Sequence, residues 1–143
     1  MAHTIEYRYS LAGHPVQTVF LAGTIPLFLG AALSDFAYAR SAHIQWNNFA
    51  SWFLVGGLIF CGIALLFAIV DLCRPHRRRA RGFVPYAVLL LVTWLLGLYN
   101  ALMHARDAWA SMPMALYLSV AVTVLACATA CLGLHARHWE DKS

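Results

Sequence analysis

Seven histidines punctuate a 143-residue chain that is otherwise poor in ionisable groups, and their positions define the chemistry on offer. Asn100, His104 and Asp107 are spaced i, i+4 and i+7, so a helix continuing through them carries all three on one face. With Asp35 and Arg106 alongside, that face is expected to form a hydrogen-bonded ion cluster of Asp35, Asn100, His104, Arg106 and Asp107 that locks helices together. Asp35, His43, His104 and Asp107 also make a donor set of imidazole and carboxylate suited to zinc or iron. Their spacing matches no metal signature, and no metal site is assigned. Histidine is also an axial ligand of haem iron. Two pairs are candidates, His14 with His135 and His43 with His104, each requiring two helices to bring imidazoles to one depth. No Cys-x-x-Cys-His attachment motif is present, so the haem implied is haem b. Ser, His and Asp are all available for hydrolysis, but no Gly-x-Ser-x-Gly marks a nucleophile and no glycine loop marks a phosphate site.

The elements that position these residues follow from composition. Hydrophobic residues make up 62% of the chain and charged residues 11%, far from the balance of a soluble domain. A core this small cannot absorb so much apolar surface, which excludes a soluble single-domain enzyme, and the hydrophobicity excludes disorder. The expectation is an all-α integral membrane protein. A spanning helix needs about 20 mostly apolar residues. Four segments qualify, at about 15–38, 49–72, 85–103 and 113–134, forming one four-helix transmembrane domain. Pro15, Pro85 and Pro113 stand at the starts of spans, where the absent N–H is harmless. Pro26 falls inside the first and predicts a kink near Ala22. Trp46, Trp52, Trp109, Trp139, Tyr38 and Tyr86 fall near span ends, as interfacial aromatics do. Gly23, Gly30, Gly56, Gly57 and Gly62, with Ala126, Cys127, Ala130 and Cys131, provide small faces for close helix approach.

Orientation follows from the basic residues. Arg74, Arg77, Arg78, Arg79 and Arg81 crowd the connection after the second span. Placing that connection in the cytoplasm also puts Arg8, Arg137 and Lys142 there, leaving only Arg40 and Arg106 outside, an N-in/C-in arrangement. The net charge of +4 is thus a topology signal. The arginine run is suited to anionic lipid headgroups, and nucleic acid is not expected as a partner. Ala37-Tyr38-Ala39 resembles a signal-peptidase site, but the apolar stretch before it exceeds the usual length of about 7–15 residues, so the first span is read as retained. The four cysteines lie in or beside apolar runs without a Cys-x-x-Cys pair and read as packing residues.

Three stretches carry a family resemblance: GHPVQTVFLAGTIPLFLGAALSDFAYA, the tryptophan-containing SWFLVGGLIFCGIALLFAIVDL, and LYNALMHARDAW. Together they resemble the bacterial membrane domain-of-unknown-function family 2231 over about residues 13–134. His14-Pro15, Asp35, the 56–71 stretch and Asn100-x-x-x-His104-x-Arg106-Asp107 are its most specific parts. The early span-one proline of that family lies nearer His14 than Pro26 does here. The resemblance implies a four-span protein of the bacterial inner membrane. It also implies association with Rieske iron–sulfur domains or quinoprotein dehydrogenases, and hence electron transfer toward quinone.

Three functions follow as expectations. The first is a redox-associated subunit that binds haem b and passes electrons between a periplasmic oxidoreductase or iron–sulfur protein and quinone. The second is a cofactor-free membrane anchor or assembly subunit. The third is a small transporter or metal-handling protein with the His and Asp layers as relays. An electron-transfer or anchor subunit is favoured over a stand-alone enzyme.

Overall fold

The computed structural model describes residues 15–75 and 82–140, the side chains of 134–140 excepted. Among the described residues five helices follow one another: α1 (Pro15–Ser41), α2 (Ile44–Leu72), α3 (Phe83–His104), the short α4 (Ala108–Ser111) and α5 (Met114–Glu140). No strand occurs among the described residues. α1, α2, α3 and the 114–133 part of α5 are long and apolar enough to cross a membrane. α2 starts at Ile44, one and a half turns before the apolar run that reveals it in the sequence, because Gln45, Asn47 and Asn48 are carried on the same helix. Pro26 lies within a continuous α1 on its exposed side.

The long helices run up and down in sequence order and close into a ring. α1 packs on α2 and α5, and α3 packs on α2 and α5, leaving α1 and α3 as a diagonal pair. Their buried positions step by four and three residues alternately: Gln17, Leu21, Thr24, Phe28, Ala31, Asp35 and Tyr38 on α1, and Tyr86, Leu90, Thr93, Gly97, Asn100 and His104 on α3. α2 repeats this from Asn47 to Asp71, and α5 from Ala115 to Gly133. A 3.5-residue period of this kind is the seam of helices packed in a left-handed supercoil.

The seam mixes many small and polar side chains with a few large apolar ones such as Phe28, Leu54 and Leu90, whereas Val19, Leu33, Trp52, Leu66, Leu102 and Val124 point outward. A soluble bundle does the reverse. In lipid, outward leucine costs nothing, and helices associate through close packing and hydrogen bonds instead. The glycines show how close that packing is. A Cβ at Gly57 would lie 2.5 Å from the Phe28 ring, and one at Gly97 would lie 3.3 Å from the same ring. Phe28 is fully buried, so its ring occupies the centre of the bundle between α2 and α3. At the end where α1 begins, Gln17 Nε2 donates to the Ala64 carbonyl at 3.4 Å and to Tyr86 Oη at 3.3 Å, joining three helices.

Candidate functional site

The opposite end holds the densest polar chemistry. Asp35 lies two turns before the end of α1, His104 is the last residue of α3, Asn100 sits one turn earlier, and Ser119 is one turn into α5. Antiparallel threading therefore delivers all four to one level, and none is more than 6% exposed. His104 Nε2 lies 2.8 Å from Asp35 Oδ1, and His104 Nδ1 lies 2.9 Å from the Asn100 carbonyl oxygen. Ser119 Oγ donates to Asp35 Oδ2, and Asn100 Nδ2 donates to Ser119 Oγ at 2.8 Å.

These contacts form a closed ring. It leaves the Asn100 side chain, passes through Ser119, Asp35 and His104, and returns to the backbone of Asn100. Ser119 differs from the other buried hydroxyls in what it spends its proton on. Thr24, Ser34, Thr93 and Thr129 each donate to a carbonyl four residues back on their own helix, the cheapest way to bury a hydroxyl. Ser119 instead reaches another helix. An intramembrane carboxylate and imidazole are expensive, and pairing them within hydrogen-bond distance is how that cost is offset.

The structure brings together Asp35, Asn100 and His104 of the expected cluster and leaves Arg106 and Asp107 outside it. The one-face stripe needed a helix continuing to 107, but α3 stops at His104, and the chain turns through Ala105. Arg106 and Asp107 are exposed, and Asp107 serves as the N-cap of α4, its carbonyl accepting from the amides of Ala110 and Ser111. Ser119 is the member that sequence reasoning did not identify. Its one available signal was depth, a lone serine in an apolar span at the level of Asp35 and Asn100.

His43 is exposed in the two-residue turn before α2. Both ring nitrogens of His104 are engaged by oxygen, so the His43–His104 pair does not fit axial ligation of a haem. His14 and the side chain of His135 lie outside the described residues. No group of three His, Cys, Asp or Glu side chains able to hold a metal occurs among the described residues, and Asp35, His43, His104 and Asp107 do not gather into one. The ring is also not a hydrolytic triad. There a histidine stands between serine and acid to take the serine proton, whereas here Asp35 stands between Ser119 and His104.

The four-span helical bundle agrees with a comparison against known families. The chain belongs to the family described as predicted membrane protein (DUF2231). The match covers residues 13–141, and thus all four long helices. No curated protein and no solved structure matches this chain. The DUF2231 description assigns a place in the membrane and no activity.

Proposed function

We propose that this DUF2231 chain is a non-catalytic anchor subunit of the bacterial inner membrane, with both termini in the cytoplasm, that presents its locked outer end to a periplasmic partner. The ring carries this reading. Both oxygens of Asp35 and both nitrogens of His104 are spent on holding α1, α3 and α5 in register, and not on a ligand. A rigid end supports docking better than a loose one, because little ordering entropy remains to be lost on binding. At the other end, Arg74 and the arginines that follow it in sequence supply the contact with anionic headgroups. Purification from native membranes in mild detergent tests the proposal. A stoichiometric periplasmic partner is expected, and a homogeneous free chain would overturn it.

A second reading retains electron transfer toward quinone. α1 and α5 pack side by side, and the start of α1 shares an end of the bundle with the last turns of α5. By chain order, His14 and His135 are therefore the histidines suited to holding haem b between these helices, where it would supply one-electron transfer. A haem absorption spectrum in the purified protein, lost in His14→Ala and His135→Ala, would replace the anchor reading with this one.

A further inference from the structure

The ring is determined in its protons as well as its atoms. The Asn100 carbonyl only accepts, so Nδ1 of His104 carries a hydrogen. Asn100 Nδ2 only donates, so the Ser119 oxygen accepts from it and gives its own hydrogen to Asp35 Oδ2. One position then remains, the 2.8 Å line between Asp35 Oδ1 and His104 Nε2. A single proton there serves whether it rests on the imidazole or on the carboxyl. Either way the pair is neutral overall, as an ion pair or as two uncharged groups. Without it, a carboxylate faces the lone pair of a neutral imidazole, and a net negative charge sits in a buried site with nothing to compensate it.

Access to this position is one-sided. Toward the Arg74 end, the next seam positions are Ala31 and Phe28 on α1, Leu54 on α2, Gly97 on α3 and Val122 on α5, an apolar layer with the Phe28 ring at its centre. Toward the other end the surroundings turn polar within one turn. His104 is followed directly by exposed Ala105, Arg106 and Asp107. Two buried side-chain acceptors have no hydrogen-bond donor among the described residues, Asn100 Oδ1 on the ring and Asn47 Oδ1 in the first turn of α2.

We propose that the Asn100–Ser119–Asp35–His104 ring is a single-proton site that exchanges with one end of the bundle only, and that release of this proton unlocks that end. The proton passes from the Asp35–His104 line to a water molecule, and the resulting carboxylate and imidazole separate. Few other charges bear on this site. α1 contributes Tyr38 and the exposed Arg40, the turn before α2 contributes the exposed His43, and the connection after α3 contributes Arg106 and Asp107. α2 carries no ionisable side chain from Ile44 to Phe60, and α5 carries none at the ring, its Tyr117 being exposed on the outer face. The site thus responds to proton activity on one face of the membrane. The inference rests on the ring acting as the lock of the anchor reading, and it is independent of which partner docks.

Full-length protein in lipid nanodiscs, labelled with 15N-histidine, tests it directly, with His104→Gln identifying the His104 signals. As pH rises, Nε2 of His104 is expected to lose its proton-bound signature while the protein remains folded. Amide hydrogen exchange near 35 and 100–104 should quicken over the same range, and the wild-type Tm should fall. Asp35→Asn and His104→Gln, each replacing an ionisable partner with a neutral amide, should flatten the Tm profile. His104 signals that do not change until global unfolding would overturn the proposal, and this readout needs only the wild type. A shift reproduced at constant pH by exchanging sodium for choline would also overturn it, identifying a metal cation as the ligand. A destabilised His104→Leu with a pH-independent wild type would leave the lock standing and remove the switch.

Discussion

His104 reaches across the centre of the bundle to Asp35, 2.8 Å away on the helix diagonally opposite. Neighbouring helices in this ring are joined by apolar and small-residue packing with hydrogen bonds between them, Thr93 with Thr129, Trp94 with the Leu58 carbonyl, and Ser119 with Asn100 and Asp35. The diagonal pair is joined by side chains at three levels: Asp35 with His104, Phe28 against Gly97, and Gln17 with Tyr86. Diagonal bonds fix what side-by-side packing leaves soft, the tendency of a four-membered ring to shear. The ion pair is the strongest of the three and stands at the end where the two-residue turn and α4 are located.

Replacing His104 with leucine leaves Asp35 buried beside Ser119 without its cationic or proton-sharing partner. Breaking a buried pair from one side costs about 3–5 kcal/mol, so detergent-solubilised His104→Leu should melt well below the wild type. Asp35→Leu should lose a comparable amount. Arg106→Ala and Asp107→Ala should change stability by no more than about 0.5 kcal/mol, because both side chains are exposed. Equal losses at 104 and 107 would mean that α3 continues through Asp107 after all.

The residues that made this ring visible in the sequence are those the membrane penalises most. Asp35, Asn100 and His104 stand out because a carboxylate, an amide and an imidazole are costly in an apolar span. Ser119 does not stand out, since a helical serine ordinarily satisfies itself on its own backbone and reads as neutral. Arg106 and Asp107 join the cluster only on an unbroken helix, and no composition signal marks the stop after His104. The four spans were legible from run length alone. The seam was not, because lipid and core are both apolar, so inner and outer faces show no polarity contrast. It becomes legible only as buried positions at alternating steps of four and three, Gln17, Leu21, Thr24, Phe28, Ala31, Asp35 and Tyr38 on α1, where small and polar side chains recur among apolar ones.

Ser119→Ala should have a smaller effect than loss of the ion pair. It removes one hydroxyl donor to Asp35 and the acceptor of Asn100 Nδ2 while leaving His104 in place. Interhelical hydrogen bonds in membranes contribute about 1 kcal/mol, and a melting shift of that size is expected. A loss as large as that of His104→Leu would mean the serine, and not the histidine, holds Asp35 in position.

Ala42 carries a left-handed backbone, φ 56°, in the turn that ends α1, a conformation in which a Cβ is disfavoured. Its amide still closes the helix by bonding to the Tyr38 carbonyl at 2.8 Å. Ala42→Gly should therefore raise the Tm, by an amount equivalent to about 1 kcal/mol. A lowered Tm would show that the methyl group makes a contact worth more than its strain.

Gly57 is the position where a single methyl group should be felt most. A Cβ there meets the Phe28 ring at 2.5 Å, and Gly97 of α3 also abuts that ring. The ring cannot retreat without leaving the centre of the bundle, so Gly57→Ala should cost about 1–3 kcal/mol by overpacking. Phe28→Leu alone should also destabilise, by opening space around the same point. The two changes compensate in volume, so the double variant should be more stable than the sum of the single losses. A thermal-melt double-mutant cycle reads this coupling. Strict additivity would mean that Gly57 and Phe28 do not share the contact that places Phe28 on the bundle axis, and the diagonal brace would then reduce to its two polar ends.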